Sequence, residues 1–456
     1  MTTVPALTAR ARIQWGALVY WSVVALLWIG WVALAYWMAR YGQWGLVDFR
    51  VYHEAAGFFA RGASPYFGTG GMYFLYPPLL GQLLIPLAGL NVIDAWHVWF
   101  VANLILLLGT LTLVSRSLPP TGARLLWITP LLFEPILDSI YIGQVTIIIL
   151  ALLTGAWIAR REDRPYLAGA LIAAAAWLKV YPGLLALYFL WKRDWRVVRG
   201  IVIAGIALAL LQIAVSGLDP FADSFGVVFA LAEGGQSAKA SVSSSILGFT
   251  TQMFTPGFRV TPLIESPVLH TISRLALTAG AVIALAAVTG RRSTPPLPSG
   301  AWHPPRIRGR VQADAPLRKQ VCTAGEPQSP LPEFGEGSGV GLRYGKTHTT
   351  RFDLEYSLAV LTAMLLSPTL WASGMPPLLL CFWLTWRAGG RIPRYLIAFA
   401  LILLTCHSWY MIGYEGTPPL PALVLSFGFY ALVTLWGVNV WLIVREQRAG
   451  SYTIGG

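Results

Sequence analysis

The chain of 456 residues is 56% hydrophobic and 12% charged, with a mean hydropathy of +0.61 and a formal net charge of +13. Soluble domains average roughly 45 to 50% apolar and about 25% charged residues, so this composition excludes a soluble globular domain and reads as an integral membrane protein. The basic residues are scattered between apolar runs rather than gathered on one polar domain, so membrane topology explains them better than nucleic acid, and membrane lipids rather than nucleic acid are the expected partners.

The first apolar run, Trp15 to Met38, carries no charge. At about 1.5 Å per residue it is long enough to cross a hydrocarbon core of about 30 Å. Arg10 and Arg12 precede it and no small-residue cleavage site follows, which predicts a signal-anchor. Further apolar segments fall near 75–90, 94–115, 125–139, 141–159, 166–178, 181–191, 200–216, 267–290, 354–371, 375–386, 393–409 and 421–444. Several are too short to span alone. The pair 166–178 and 181–191, joined at "LKVYPG", predicts a hairpin or broken helix whose irregular backbone is buried in protein or faces a watery cavity.

Residues 293–352 begin "STPPLPSGAWHPPRIRGR", are rich in Pro, Gly and mixed charge, and lack apolar periodicity, which predicts a disordered cytoplasmic insertion. The organisation expected is an N-terminal transmembrane module, 1–292, with a functional first outer loop at 40–73, then the insertion, then C-terminal transmembrane helices, 353–456. Cys322, Cys381 and Cys406 have no CxxC spacing, so neither a disulfide framework nor a metal site is expected.

With the N-terminus inside and 75–90 re-entrant, 26 of the 33 Lys and Arg residues fall on the cytoplasmic side, as the positive-inside rule requires. That predicts an all-α, polytopic membrane protein with about 12 transmembrane helices and both termini cytoplasmic. The short basic cytoplasmic loops are what orientation alone requires. The outer face then collects residues 47–67, Gly143 and Gln144, Lys179, the 217–266 loop, Trp371 and Glu415.

The stretch "VDFRVYHEAAGFFARGASPYF" places Asp48, Arg50, His53, Glu54 and Arg61 in the first outer loop. Phe49, Tyr52, Ala56 and Phe59 recur at helical spacing, a stripe suited to the membrane surface with Arg50, Glu54 and Arg61 facing water. Asp48 takes the N-cap position of this helix; a carboxylate there also suits a general base, and the two roles are compatible. His53 reads as a surface histidine. In "YFLYPPLLGQLLIPL", Pro77 and Pro78 start a helix and Tyr73 and Tyr76 anchor it at the interface.

Lys179 lies at the outer end of an apolar segment, where positive charge is disfavoured; it either snorkels or neutralises the phosphate of a lipid carrier. The loop "AEGGQSAKASVSSSILGF" offers Gln236, Ser237 and Lys239 for sugar hydroxyls or phosphate, with a composition that equally suits a flexible loop. Glu134 and Asp138, four residues apart, suit one helix face as intramembrane carboxylates, with or without a functional duty. There is no P-loop, GxGxxG after a strand, HExxH or GxSxG.

In their order, "DFRVYHEAAGFFARGASPY", "YPPLLGQLLIPL", "GQVTIIILALLTGAWIARRE", "AGALIAAAAWLKVYPGLLALYFLWKRDWR" and "LLSPTLW" resemble glycosyltransferase family 87, the polyprenol-phosphate-mannose-dependent α-mannosyltransferases with a GT-C fold. The resemblance implies transfer of a sugar, mannose, from a polyprenyl-phosphate donor to a hydroxyl of a glycan or glycolipid acceptor at the outer face of the cell membrane, with inversion. It implies Asp48 as the catalytic carboxylate and Lys179, Arg61 and Lys239 as groups for the donor phosphate and lipid. Substrate contacts are then expected from Tyr52, His53, Glu54, Tyr76, Gln144, Gln236, Ser237 and Trp371, with no metal and no cofactor beyond the lipid-linked donor. Where many members carry histidines after SPxxW, this chain has Ala372, Ser373 and Gly374, so no histidine role carries over. The competing readings are a transporter or flippase of lipids or lipid-linked sugars and a catalytically inactive scaffold subunit.

Overall fold

The computed structural model describes residues 4–66, 74–118, 120–232, 243–257, 260–290, 351–412 and 420–451. The expected insertion at 293–352, apart from its last two residues, lies outside the described residues, as do Tyr73, Gln236, Ser237, Lys239 and Glu415.

The described chain is a bundle of α-helices. α1 (Val4–Tyr41) turns at residues 42–46 into α2 (Val47–Ala60), and α3 (Pro78–Leu83) leads into α4 (Val92–Ser115). α5 (Pro120–Leu132) and α6 (Glu134–Ile142) meet at a 50° bend at Phe133, where Pro135 restarts the helix. Then follow α7 (Thr146–Arg161), α8 (Pro165–Leu178), α9 (Leu185–Trp191), α10 (Trp195–Ser216), α11 (Leu218–Ala232), α12 (Ile246–Phe254) and α13 (Pro267–Thr289). After residue 350 come α14 (Arg351–Leu365), α15 (Leu378–Ala388), α16 (Arg391–Ile412), α17 (Ala422–Leu425) and α18 (Phe427–Ser451). A two-residue parallel pair, β1 (Val260–Thr261) with β2 (Leu420–Pro421), joins the α12–α13 connection to the segment before α17.

Five described helices are long and apolar enough to cross a membrane, or six when α5 and α6 count as one bent span. The chain is therefore a multi-pass membrane protein. α1, α10 and α13 turn most of their apolar side chains outward, whereas α14 and α15 are buried almost all round and form the centre of the bundle. The segment 75–90 forms only the six residues of α3 and a 3₁₀ turn, Ile85–Leu87. At about 1.5 Å per residue α3 is too short to cross.

Polar side chains hold this short helix at depth. Gln212 of α10 accepts the Leu79 N–H at 3.0 Å, a donor that the start of a helix leaves without an intrahelical partner. Gln82 donates back to the Gln212 carbonyl and to Ser216 Oγ. The expected break at "LKVYPG" is present: α8 ends at Leu178, Lys179 is extended, and a 3₁₀ turn over Tyr181–Leu184 feeds α9.

At the ends of α7 and α9, basic side chains attributed to orientation alone meet carboxylates. Asp353 takes Trp157 Nε1 at 2.8 Å and Arg161 at 3.1 Å, with Arg387 at 3.8 Å. Glu355 pairs with Lys192 at 2.9 Å and Arg351 at 2.8 Å, and Arg160 pairs with Asp194 at 2.7 Å. Removing one partner of a buried pair leaves the other charge uncompensated, at a cost of about 3–5 kcal/mol. Asp353→Ala is therefore expected to lower the thermal unfolding midpoint in detergent, and an unchanged midpoint would show that these pairs do not hold the bundle.

Candidate active site

α2 enters the bundle through a tight corner. Leu46 is left-handed (φ 62°), its N–H reaches the Tyr141 carbonyl at 3.0 Å, and the Trp44 N–H reaches Tyr141 Oη at 2.8 Å. Leu46 is thus the N-cap residue and Asp48 is the second residue of the helix, so the expected capping role of Asp48 is corrected. The Phe49, Tyr52, Ala56, Phe59 stripe exists but faces protein rather than lipid. Phe49 and Tyr52 pack on Trp99 of α4, and Phe59 packs closely on Gly81 of α3. Arg50, Glu54 and Arg61 are exposed, as expected.

Opposite Asp48, the break between α6 and α7 presents Gln144. Gly143 is left-handed (φ 80°), and a Cβ there would sit 2.5 Å from Phe49 Cβ, so only glycine lets α2 approach this closely. Trp99 Nε1 donates to the Gly143 carbonyl at 3.0 Å and fixes the turn. Gln144 is buried; its Nε2 donates to Asp48 Oδ2 and, at 3.0 Å, to Tyr76 Oη, while its Oε1 accepts from Tyr52 Oη at 3.1 Å. Gly143→Ala adds about 1–2 kcal/mol of backbone strain and pushes Phe49 away. Because a displacement of about 1 Å costs about 10²-fold in rate, the variant is expected to lose about that much turnover in a transfer assay, and full activity would show that Asp48 tolerates the shift.

Lys179, at the break after α8, completes the group, with Nζ 5.8 Å from the centre of the Tyr76 ring. A Cβ on Gly374 would lie 3.6 Å from the same nitrogen, so the 3₁₀ turn Ala372–Gly374 forms the neighbouring wall. Asp48 and Lys179 are half-buried and feel each other's charge. Burial pushes the Asp48 carboxyl up to about 6, against the opposing pull of Lys179 and the Gln144 hydrogen bond. Burial likewise brings Lys179 down to about 8, with Asp48 opposing. The pair keeps opposite charges near neutrality, yet each partner is poised to exchange a proton close to it.

Asp48, Tyr52, Tyr76, Gln144 and Lys179 thus converge from four separate stretches of chain. Other expected contacts do not. Arg61 is exposed at the far end of α2 over the Phe58 ring, Glu54 is exposed, and His53 Nε2 lies 3.2 Å from the Leu87 carbonyl. Trp371 is 37% exposed, and Gly374 in the turn that follows it borders Lys179. Asp138, one of two intramembrane carboxylates whose duty the sequence leaves open, sits close enough to Asp48 to feel its charge and accepts the Ser373 backbone N–H. The signal for it was an ionisable residue inside an apolar segment.

The fold and this group define a polytopic α-helical membrane protein with a carboxylate and an ammonium sharing one partly enclosed polar site. Residues 74–301 match Glycosyltransferase family 87, and the chain belongs to that family. A polyprenol-phosphate-mannose-dependent alpha-(1-2)-phosphatidylinositol mannoside mannosyltransferase of Mycobacterium tuberculosis (strain ATCC 25618 / H37Rv) is 28% identical over 211 residues, 41% of this chain and 47% of that protein. A protein of the same description from Mycolicibacterium smegmatis (strain ATCC 700084 / mc(2)155) is 26% identical over 208 residues, 40% of this chain and 45% of the relative. The chain thus matches just under half the length of these curated relatives. No solved structure matches it with significance. Asp138, Gln144 and Lys179 lie within the family match, whereas Asp48 precedes it.

Proposed function

We propose that the chain is an inverting membrane glycosyltransferase that moves mannose from a polyprenyl-phosphate carrier to a hydroxyl of a glycan or glycolipid at the outer face of the membrane. The observation that carries this reading is the meeting of Asp48 and Lys179 in one half-buried site built on Gln144 and Tyr76. In the proposed step the acceptor hydroxyl gives its proton to Asp48 while its oxygen attacks C1 of the sugar. The bond from C1 to the phosphate oxygen breaks, and polyprenyl phosphate leaves with the electron pair against the Lys179 ammonium. Attack opposite the leaving group turns a β-linked donor into an α-linked product. A single leaving phosphate does not call for a metal as a nucleotide diphosphate does.

The relatives' descriptions suggest a phosphatidylinositol mannoside as the first acceptor to try. The test is a transfer assay in membranes expressing the chain, with radiolabelled polyprenyl-phosphate mannose and an acceptor pool of envelope-glycan extract and phosphatidylinositol mannosides. Covalent label in glycan or glycolipid is the expected result. Donor that crosses the bilayer without covalent transfer would overturn it in favour of the transporter reading.

A further inference from the structure

The proposed step uses one carboxylate, and the site contains a second. Asp138 lies on α6, six residues before Gln144, close enough to Asp48 to feel its charge. Its immediate surroundings are rigid. The Ser373 N–H bonds to Asp138, the Ser373 carbonyl accepts from Thr146 Oγ1, and Thr146 Oγ1 lies 2.9 Å from Ser139 Oγ. The Ala372–Gly374 turn is therefore pinned to α6 and α7 through both backbone groups of Ser373, with Lys179 Nζ near Gly374. This leaves the Ser373 hydroxyl, on a side chain 1% exposed, with no hydrogen-bond partner among the described residues. A buried hydroxyl without a partner is an exception among buried polar groups, and a ligand hydroxyl beside it would supply the missing hydrogen bond.

Ionised or protonated, a carboxyl group keeps hydrogen-bonding positions beyond the one that the Ser373 N–H occupies. The Asp48 carboxylate is near enough for its charge to act on Asp138, and the Lys179 ammonium lies by Gly374 of the same turn. Next to a base that removes one sugar proton and a cation that holds phosphate, a carboxylate fixed by the backbone has the chemistry to accept from a neighbouring sugar hydroxyl. We propose that Asp138, with Ser373 beside it, is a sugar-binding subsite that holds a hexose hydroxyl adjacent to the reacting centre and so sets the orientation in which the sugar meets Asp48. The inference rests on the glycosyl-transfer reading above and adds the group that orients the sugar. The hydroxyl belongs either to the donor mannose or to the acceptor sugar, and both present the same chemistry to Asp138.

The experiment is a cycle between one residue and one hydroxyl. Wild type and Asp138→Asn are assayed with the parent substrates, with polyprenyl-phosphate mannose carrying single deoxy positions, and with mannoside acceptors carrying single deoxy positions. Asn retains an oxygen for the Ser373 N–H, and equal thermal midpoints in detergent confirm that the fold is kept. A hydrogen bond to a charged group contributes about 1.5–3 kcal/mol. Asp138→Asn is therefore expected to lose roughly 10- to 100-fold in kcat/KM with the parents, and wild type a similar factor with one deoxy analogue. The variant should lose nothing further with that same analogue; whether it is a donor or an acceptor analogue identifies the sugar held. Losses that multiply for every analogue, or a variant within twofold of wild type, would overturn the subsite while wild-type transfer to the parent leaves the glycosyltransferase reading standing. Wild type that transfers nothing overturns that reading and the subsite together.

Discussion

Membranes containing Asp48→Asn are expected to transfer mannose roughly 10²- to 10⁴-fold more slowly than wild type, the range a positioned general base contributes. The substitution keeps the volume of the side chain and an oxygen to accept from Gln144 Nε2, so the fold and the Gln144–Tyr76–Tyr52 chain of hydrogen bonds stay in place. Only the capacity to take a proton is lost. The pH profile identifies the group. The base works ionised, and burial holds Asp48 up to about 6, so wild-type kcat/KM should climb as pH rises through about 6. The cation works protonated, and Lys179 at about 8 should let activity fall as pH rises beyond that value. The profile is then a bell between these limits, and the acid limb should vanish from the residual activity of Asp48→Asn. Activity above half of wild type in a correctly folded Asp48→Asn would remove Asp48 from the base role.

The sequence made the local periods legible and left their partners hidden. The stripe of Phe49, Tyr52, Ala56 and Phe59 is a period of one helix, and it folds as expected. Lipid and protein interior are equally apolar, however, and nothing within residues 47–67 says that Gly81 and Trp99 arrive to cover it. The N-cap reading failed for a related reason. Asp is a favoured cap, but the chain turns one residue pair earlier, at a leucine in a conformation that leucine rarely adopts, held there by Tyr141. The broken helix at "LKVYPG" and the short segment at 75–90 were readable because proline, length and one misplaced cation mark them locally.

The site itself is a set of long-range meetings. Gln144 was marked as a sugar contact, yet its amide is occupied in orienting Asp48, Tyr52 and Tyr76. The turn after Trp371 drew attention only for the histidines it lacks, whereas its backbone is what meets Asp138 and Lys179. The basic ends of α7 and α9 obey the positive-inside pattern, and their carboxylate partners in α14 lie more than a hundred residues further along. Charge statistics could therefore orient those loops without revealing that they are cross-linked.

Lys179→Ala separates the two roles that the sequence left open for this residue. A snorkelling lysine contributes only its stem to packing, and its loss leaves transfer unchanged. A lysine that holds the leaving phosphate stabilises charge that grows as the bond from C1 breaks, and removing such a donor costs about 10²- to 10³-fold. The expected result is a fall of roughly 10²-fold in kcat/KM for the polyprenyl-phosphate donor, with the acceptor KM moving by less than about twofold. Arginine should restore little, since its planar, delocalised guanidinium does not reproduce the compact point charge of an ammonium beside the Tyr76 ring. The Asp48 limb of the pH profile provides an internal control. The Lys179 charge opposes the burial that raises Asp48, so without it the limb should move upward from about 6. A donor-specific loss together with that upward shift is the signature of an ammonium that serves both the phosphate and the base; a loss without the shift would mean that Lys179 and Asp48 are not electrostatically coupled and that the lysine acts on the donor alone.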